Sequence, residues 1–281
     1  MTRTSRARIA GPERYWLAEG IIWDDRAGEA IWVDIHNGDL VRNLDAPVTT
    51  HLDATVGAVA LAEDGGLLVA GHRGLITIAP DGVVSHGPEL VREGRRLNDG
   101  SVDPQGRFLI GTVSLGEQTN QEELLRVSPD GGVEVLRTGL SLSNGIGFAS
   151  DGTIYHADTW VRGVSAFRDG TWVTMLDDFD GYPDGLTVDV DDNLWVAEYG
   201  AGRVRQFSPT GEVLTTVEIS TPEATCVGFL PTGLAITTGR ETATDANAGA
   251  IYLAEVDTSG VPENRWAGST SSPYWNTLEI T

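Results

Sequence analysis

Six residues of this 281-residue chain stand directly before the start of an apolar, strand-like run: Glu19, Val56, Asp99, Asn144, Asp184 and Thr225. Four of the six carry a carboxylate or carboxamide, and each of those four is followed by glycine. Such oxygen groups, if gathered at one point, repel one another unless a cation neutralises them. With no Cys or His among them, they call for a hard ion, Ca²⁺, Mg²⁺ or Mn²⁺, rather than structural zinc.

Other chemistry-bearing stretches yield to simpler readings. Asp189, Asp191 and Asn193 alternate as in a calcium loop, but that loop needs Gly at its sixth position and Glu at its twelfth. Here those positions hold Leu194 and Gly200, so the run reads as a polar turn between two strands. None of the five histidines has metal-ligand spacing. His72 and His156 end strands and are candidates to face a channel mouth; His51 and His86 read as surface residues and His36 as part of a turn. Cys226 reads as a buried, inert thiol. No G-x-S-x-G elbow occurs, so no serine nucleophile is indicated. Trp160 and Tyr182 fall in loops where they can wall a pocket.

The elements that must position these residues repeat. A Gly-led apolar strand, a turn and a second apolar strand recur from Gly20, Gly57, Gly100, Gly145 and Gly185, and more weakly from Cys226, at intervals of 37, 43, 45, 40 and 41 residues. A third apolar stretch follows each pair (LITIAPDG, LLRVSPDG, VRQFSPTG), and a fourth follows most. Helical periodicity is nearly absent. Four short strands per repeat, six times over, predict an all-β, six-bladed propeller, with residues 1–281 as one domain. Equivalent positions then fall on a ring, and the residue before each innermost strand faces a central channel. The sixth repeat lacks its fourth strand; SRARIAG at the N-terminus or NTLEIT at the C-terminus is expected to supply it. The tail 261–281 and the polar insertion 114–123 carry no periodicity.

Composition narrows the partners. There are 41 acids against 19 arginines and no lysine, for a net charge of −22. Such a surface repels phosphate backbones and anionic headgroups, so neither nucleic acid nor membrane is expected. The absence of lysine excludes a Schiff base. A single cysteine and an N-terminus without an apolar core segment fit a cytoplasmic protein, monomeric or weakly self-associating.

The segments AEGIIWDD, RLNDGSVDPQGRFLIGT, LSNGIGFASDGTIYHADT and YPDGLTVDVDDNLWVA resemble the SMP-30/gluconolactonase/regucalcin family, over about Leu17 to Val256. That resemblance implies a six-bladed propeller with a metal site in its central channel and hydrolysis of a sugar lactone to its aldonic acid. It implies one divalent cation, Ca²⁺ foremost, with Zn²⁺, Mn²⁺, Mg²⁺ or Fe²⁺ as alternatives. The implied metal ligands are Glu19, Asn144 and Asp184, with Asp184 also the general base. The implied substrate contacts are Arg96, Asn98 and Asp99, joined by Glu117 from the insertion. Two other functions fit the same scaffold: a metal-dependent esterase or phosphotriesterase, and a calcium-binding propeller without catalysis.

Overall fold

The computed structural model describes residues 2–277 and shows six sheets, antiparallel except for one N-terminal strand added to the fifth, arranged as a six-bladed β-propeller. The innermost strands are Ala18–Asp24, Ala58–Leu61, Arg95–Val102, Ser143–Phe148, Tyr182–Val188 and Ala224–Leu230. They follow the repeat starts, and in the first four blades the strands pair in chain order from axis to rim. Turn chemistry punctuates each blade. In the fifth, Asp189 accepts from the backbone N–H of Asp191 (3.0 Å) and Asn193 (2.9 Å), so DVDDN is a turn as its spacing indicates. Asp189 also accepts from Trp195 Nε1 and Gln206 Nε2, which makes its fully buried carboxylate the hub of that blade.

The N-terminus closes the ring. Arg8–Ile9, within SRARIAG, pairs antiparallel with Tyr252–Ala254 as the fourth strand of the sixth blade. Arg3–Arg6 continues onto the fifth blade, parallel to Val213–Glu218, so this segment straps two blades together. Residues 278–281 of NTLEIT lie outside the described residues.

The apolar core lies between blades. Six buried clusters occupy the six blade-to-blade interfaces. Trp32 is buried between the sixth and first blades and Trp195 between the fifth and sixth. Burying a side chain of that size is worth roughly 4–6 kcal/mol before ordering entropy. At the axis the innermost strands approach closely, and the repeat glycines permit it. A Cβ on Gly145 would stand 2.4 Å from the Asp184 carbonyl oxygen, and one on Gly185 2.8 Å from Cys226 Cα.

The tail has a definite path under the channel. Gly260 bridges to Asp189 of the fifth blade, Asn264 Nδ2 donates to the Val102 carbonyl of the third, and Trp266 bridges to Ala62 of the second. Val261 to Asn264 thereby floor an axial cavity of about 80 Å³ whose walls are the innermost strands. No helix among the described residues is long and apolar enough to cross a membrane.

Candidate metal centre and active site

In five blades the pairing between the innermost strand and its neighbour slips at one repeat position: Glu19/Ile22, Leu97/Gly100, Ser143/Ile146, Pro183/Leu186 and Ala224/Val227. Such a slip inserts unpaired residues and re-aims their side chains. The residues caught in or beside it are Glu19, Asp99, Asn144, Asp184 and Thr225, so the repeat register has a mechanical meaning. The second blade pairs without a slip from Ala58 to Leu61, and Val56 packs into the core instead.

Glu19, Asn144 and Asp184 are all buried, at 6%, 4% and 6% exposure. The Asn144 amide donates to Asp184 Oδ1 and, at 3.1 Å, to Thr159 Oγ1. Glu19 accepts from the Gly20 N–H at 3.1 Å. Burial, and then repulsion from Asp184 and Asp99, push the Glu19 carboxyl well above its ordinary range. Burial and repulsion from Asp99 do the same to Asp184, against the lowering effect of the Asn144 hydrogen bond. Asp99 rises to about 6, mainly by burial.

Two observations fit this group to a hard cation. Its carboxylates are crowded and desolvated, and Asn144 Oδ1 is buried with no hydrogen-bond partner among the described residues. An orphaned carbonyl oxygen beside two carboxylates is the donor chemistry a Ca²⁺-class ion takes. Among the described residues no cluster of three or more His, Cys, Asp or Glu is arranged to hold a metal ion, so a cation here would need the Asn144 carboxamide beside the carboxylates.

The substrate-side candidates divide. Arg96 is buried; its Nη1 donates to Asn98 Oδ1 at 2.7 Å and to the Leu97 carbonyl at 3.0 Å. Burial lowers its pKa to about 10, and it remains a cation at neutral pH. Asn98 Nδ2 donates to the Ser143 carbonyl at 2.9 Å, so Asn98 braces Arg96 against the neighbouring blade. Asp99 accepts from the Gly100 N–H at 2.7 Å and lines the top of the axial cavity. Glu117 is exposed on the insertion, with no hydrogen bond or ion pair among the described residues, and is not gathered into the buried group. Trp160 and Tyr182 do pair, edge to face at 5.2 Å, with Arg162 over the Tyr182 ring. Cys226 lines the cavity below the carboxylates, and its thiol is pushed up by burial, consistent with an inert group.

Repeat reasoning missed Glu241. It lies in the loop after the strand Gly233–Thr238, which Glu223 anchors by accepting from the N–H groups of residues 241, 242 and 243. Its negative charge acts on both Arg96 and Asp184, and it meets His36 Nε2 at 2.7 Å. No signal in the sequence ties this loop to the repeat positions. His156 does not open onto the channel mouth; it is fully buried where the fourth blade meets the third, between Ser143 and Arg137.

The sequence pattern of the SMP-30/gluconolactonase/LRE-like region matches residues 17–240. The chain is 32% identical to a 6-deoxy-6-sulfogluconolactonase of Pseudomonas putida, over 90% of this chain and 95% of that one. It is 31% identical to a pentonolactonase of Haloferax volcanii, over 89% and 94%. In three dimensions it superposes on regucalcin of Agrobacterium tumefaciens, described as a calcium-binding protein, with a TM-score of 0.88 and 25% identity over 95% of this chain and 99% of that one. The propeller and the match over residues 17–240 agree: the chain belongs to the SMP-30/gluconolactonase/LRE-like family.

Proposed function

We propose that this protein hydrolyses a sugar lactone to the corresponding aldonic acid, using one divalent cation, Ca²⁺ foremost, held by Glu19, Asn144 and Asp184, with residues 1–281 acting as one unit. The observation that carries the reading is the unpartnered Asn144 Oδ1 beside two desolvated carboxylates, next to a buried arginine, in a chain whose relatives include lactonases.

When bound, the cation supplies Lewis-acid polarisation of the lactone carbonyl and eases ionisation of water. The chain's own groups do the rest. Asp184 has one oxygen engaged by Asn144, and its Oδ2 takes the proton of the attacking water as general base. The new bond forms between water oxygen and carbonyl carbon. As the tetrahedral centre collapses, the ring C–O bond breaks and the proton held on Asp184 goes to the departing ring oxygen. Arg96 uses Nη1 on its own scaffold, which leaves Nη2 and Nε to hold substrate oxygens. Asn98 fixes the guanidinium and Asp99 accepts a substrate hydroxyl. Glu117 adds a contact from the rim. The acidic surface admits a neutral lactone and repels the aldonate product.

Similarity to a regucalcin described as calcium-binding favours one second reading, a propeller that binds Ca²⁺ without turnover. A panel of aldonolactones, aryl esters and phosphotriesters, followed by proton release with each divalent ion, separates these functions. The proposal expects lactones to be opened fastest. Turnover of esters or phosphotriesters alone, or of nothing, would reject it.

A further inference from the structure

A buried polar chain runs from the rim of the third blade to the residue beside Asn144. Arg137, on the outermost strand Val133–Leu140, enters the interface with the fourth blade. There its guanidinium lies over Trp172 at 4.8 Å and donates to Ser165 Oγ at 3.1 Å. Its Nη1 stands 3.1 Å from His156 Nδ1, and His156 Nε2 stands 2.7 Å from Ser143 Oγ. Ser143 and His156 are both at 0% exposure.

The direction of these bonds is fixed by the arginine. A guanidinium only donates, so Nδ1 is the acceptor and the single imidazole proton sits on Nε2. His156 therefore donates to Ser143 Oγ. This is opposite to a nucleophilic Ser–His pair, in which the imidazole lone pair must face the hydroxyl. Burial, and then the charge of Arg137, hold the imidazole down at about 3, so it stays neutral through the working range. The pair cannot activate a nucleophile; it can hold a position.

Ser143 is where the inner strand of the fourth blade slips: Ser143 pairs with Asp158, the next paired residue is Ile146 opposite His156, and Asn144 falls in the gap. Ser143 is gripped at both ends, its hydroxyl by His156 and its carbonyl by Asn98 Nδ2 at 2.9 Å. We propose that His156, backed by Arg137, is a positioning residue that sets the Ser143–Asn144 backbone so that the Asn144 carboxamide meets the cation. The inference rests on the reading of Asn144 as a metal ligand. The same clamp ties that ligand to Arg96 through Asn98, so cation side and substrate side share one support.

The test is calorimetric titration of apo protein with Ca²⁺ alone, paired with thermal unfolding without metal, for wild type, N144A, S143A, H156F and H156Q. Glutamine offers one acceptor and one donor and serves as the conservative rescue. Supporting residues behind metal ligands are worth about 10–100-fold in affinity. H156F and S143A are expected to weaken Ca²⁺ binding by about that factor, with H156Q within about threefold of wild type. If N144A weakens binding while both H156F and S143A bind as wild type, the positioning role is refuted, even if their melting temperatures fall. Ca²⁺ affinity unchanged in N144A itself would instead remove the parent reading. Should H156F misfold, S143A alone decides.

Discussion

Glu263 offers a sharp test of how the tail closes the propeller. Its carboxyl lines the axial cavity from below, with no hydrogen-bond partner among the described residues. Arg265, two residues on, has its Nη2 committed to Asp25. Burial raises the Glu263 pKa from 4.5 to about 7, and attraction to Arg265 offsets only part of it. A raised carboxyl pKa means that the folded state binds the proton more tightly than the unfolded chain. The stability this gives is complete below the unfolded value of 4.5 and is lost as pH rises to about 7. The full shift corresponds to about 3 kcal/mol. The side chain is only half-buried and its cavity has room for water, which brings the expected effect to about 2 kcal/mol. E263Q removes the ionisation. It should match wild type near pH 4.5 and exceed it at pH 8 by about 2 kcal/mol, or about 4 °C in melting temperature. Calorimetric unfolding of both proteins at the two pH values reads this directly. An E263Q advantage equal at both pH values, or a loss at pH 8, would show that the carboxyl is not enclosed by the tail.

Other perturbations separate support from chemistry. D189A strands the buried Trp195 and Gln206 donors and should cost about 2–4 kcal/mol in denaturant unfolding, with turnover per folded molecule unchanged. R96K keeps the charge but loses the fork, and steady-state kinetics should show kcat/KM lower by about 10–100-fold with Ca²⁺ affinity preserved. E117A should raise KM by about tenfold at constant kcat, and an unchanged KM would remove Glu117 from the site.

The fold was legible because a propeller repeats its demands. Each innermost strand needs a glycine or small residue where it meets its neighbours, and each first turn needs Asp or Gly, so Gly20, Gly57, Gly100, Gly145 and Gly185 mark the blades before any geometry is known. The residues ahead of them were legible for the same reason, since the slip recurs at that position. What lies outside the register was not. Glu241 comes from a loop whose path is set by three backbone bonds to Glu223, a tertiary arrangement with no local pattern. His156 sits where strand alternation alone does not settle its direction; Arg137, from another blade, holds it within the interface. The tail follows the floor of the propeller through single bridges to separate blades, which leaves no periodicity to read.

In the proposed chemistry the cation held by Glu19, Asn144 and Asp184 is what makes the site hydrolyse lactones. Its most direct test is proton release from an aldonolactone by chelated protein titrated with Ca²⁺, for wild type and D184N, with bound ion counted in parallel. No turnover is expected without the ion, with activity rising in step to a plateau at about one ion per chain. A loss of about 10²–10⁴-fold is expected in D184N at every ion concentration. Full activity in the chelated protein, or a D184N variant as active as wild type, would contradict it.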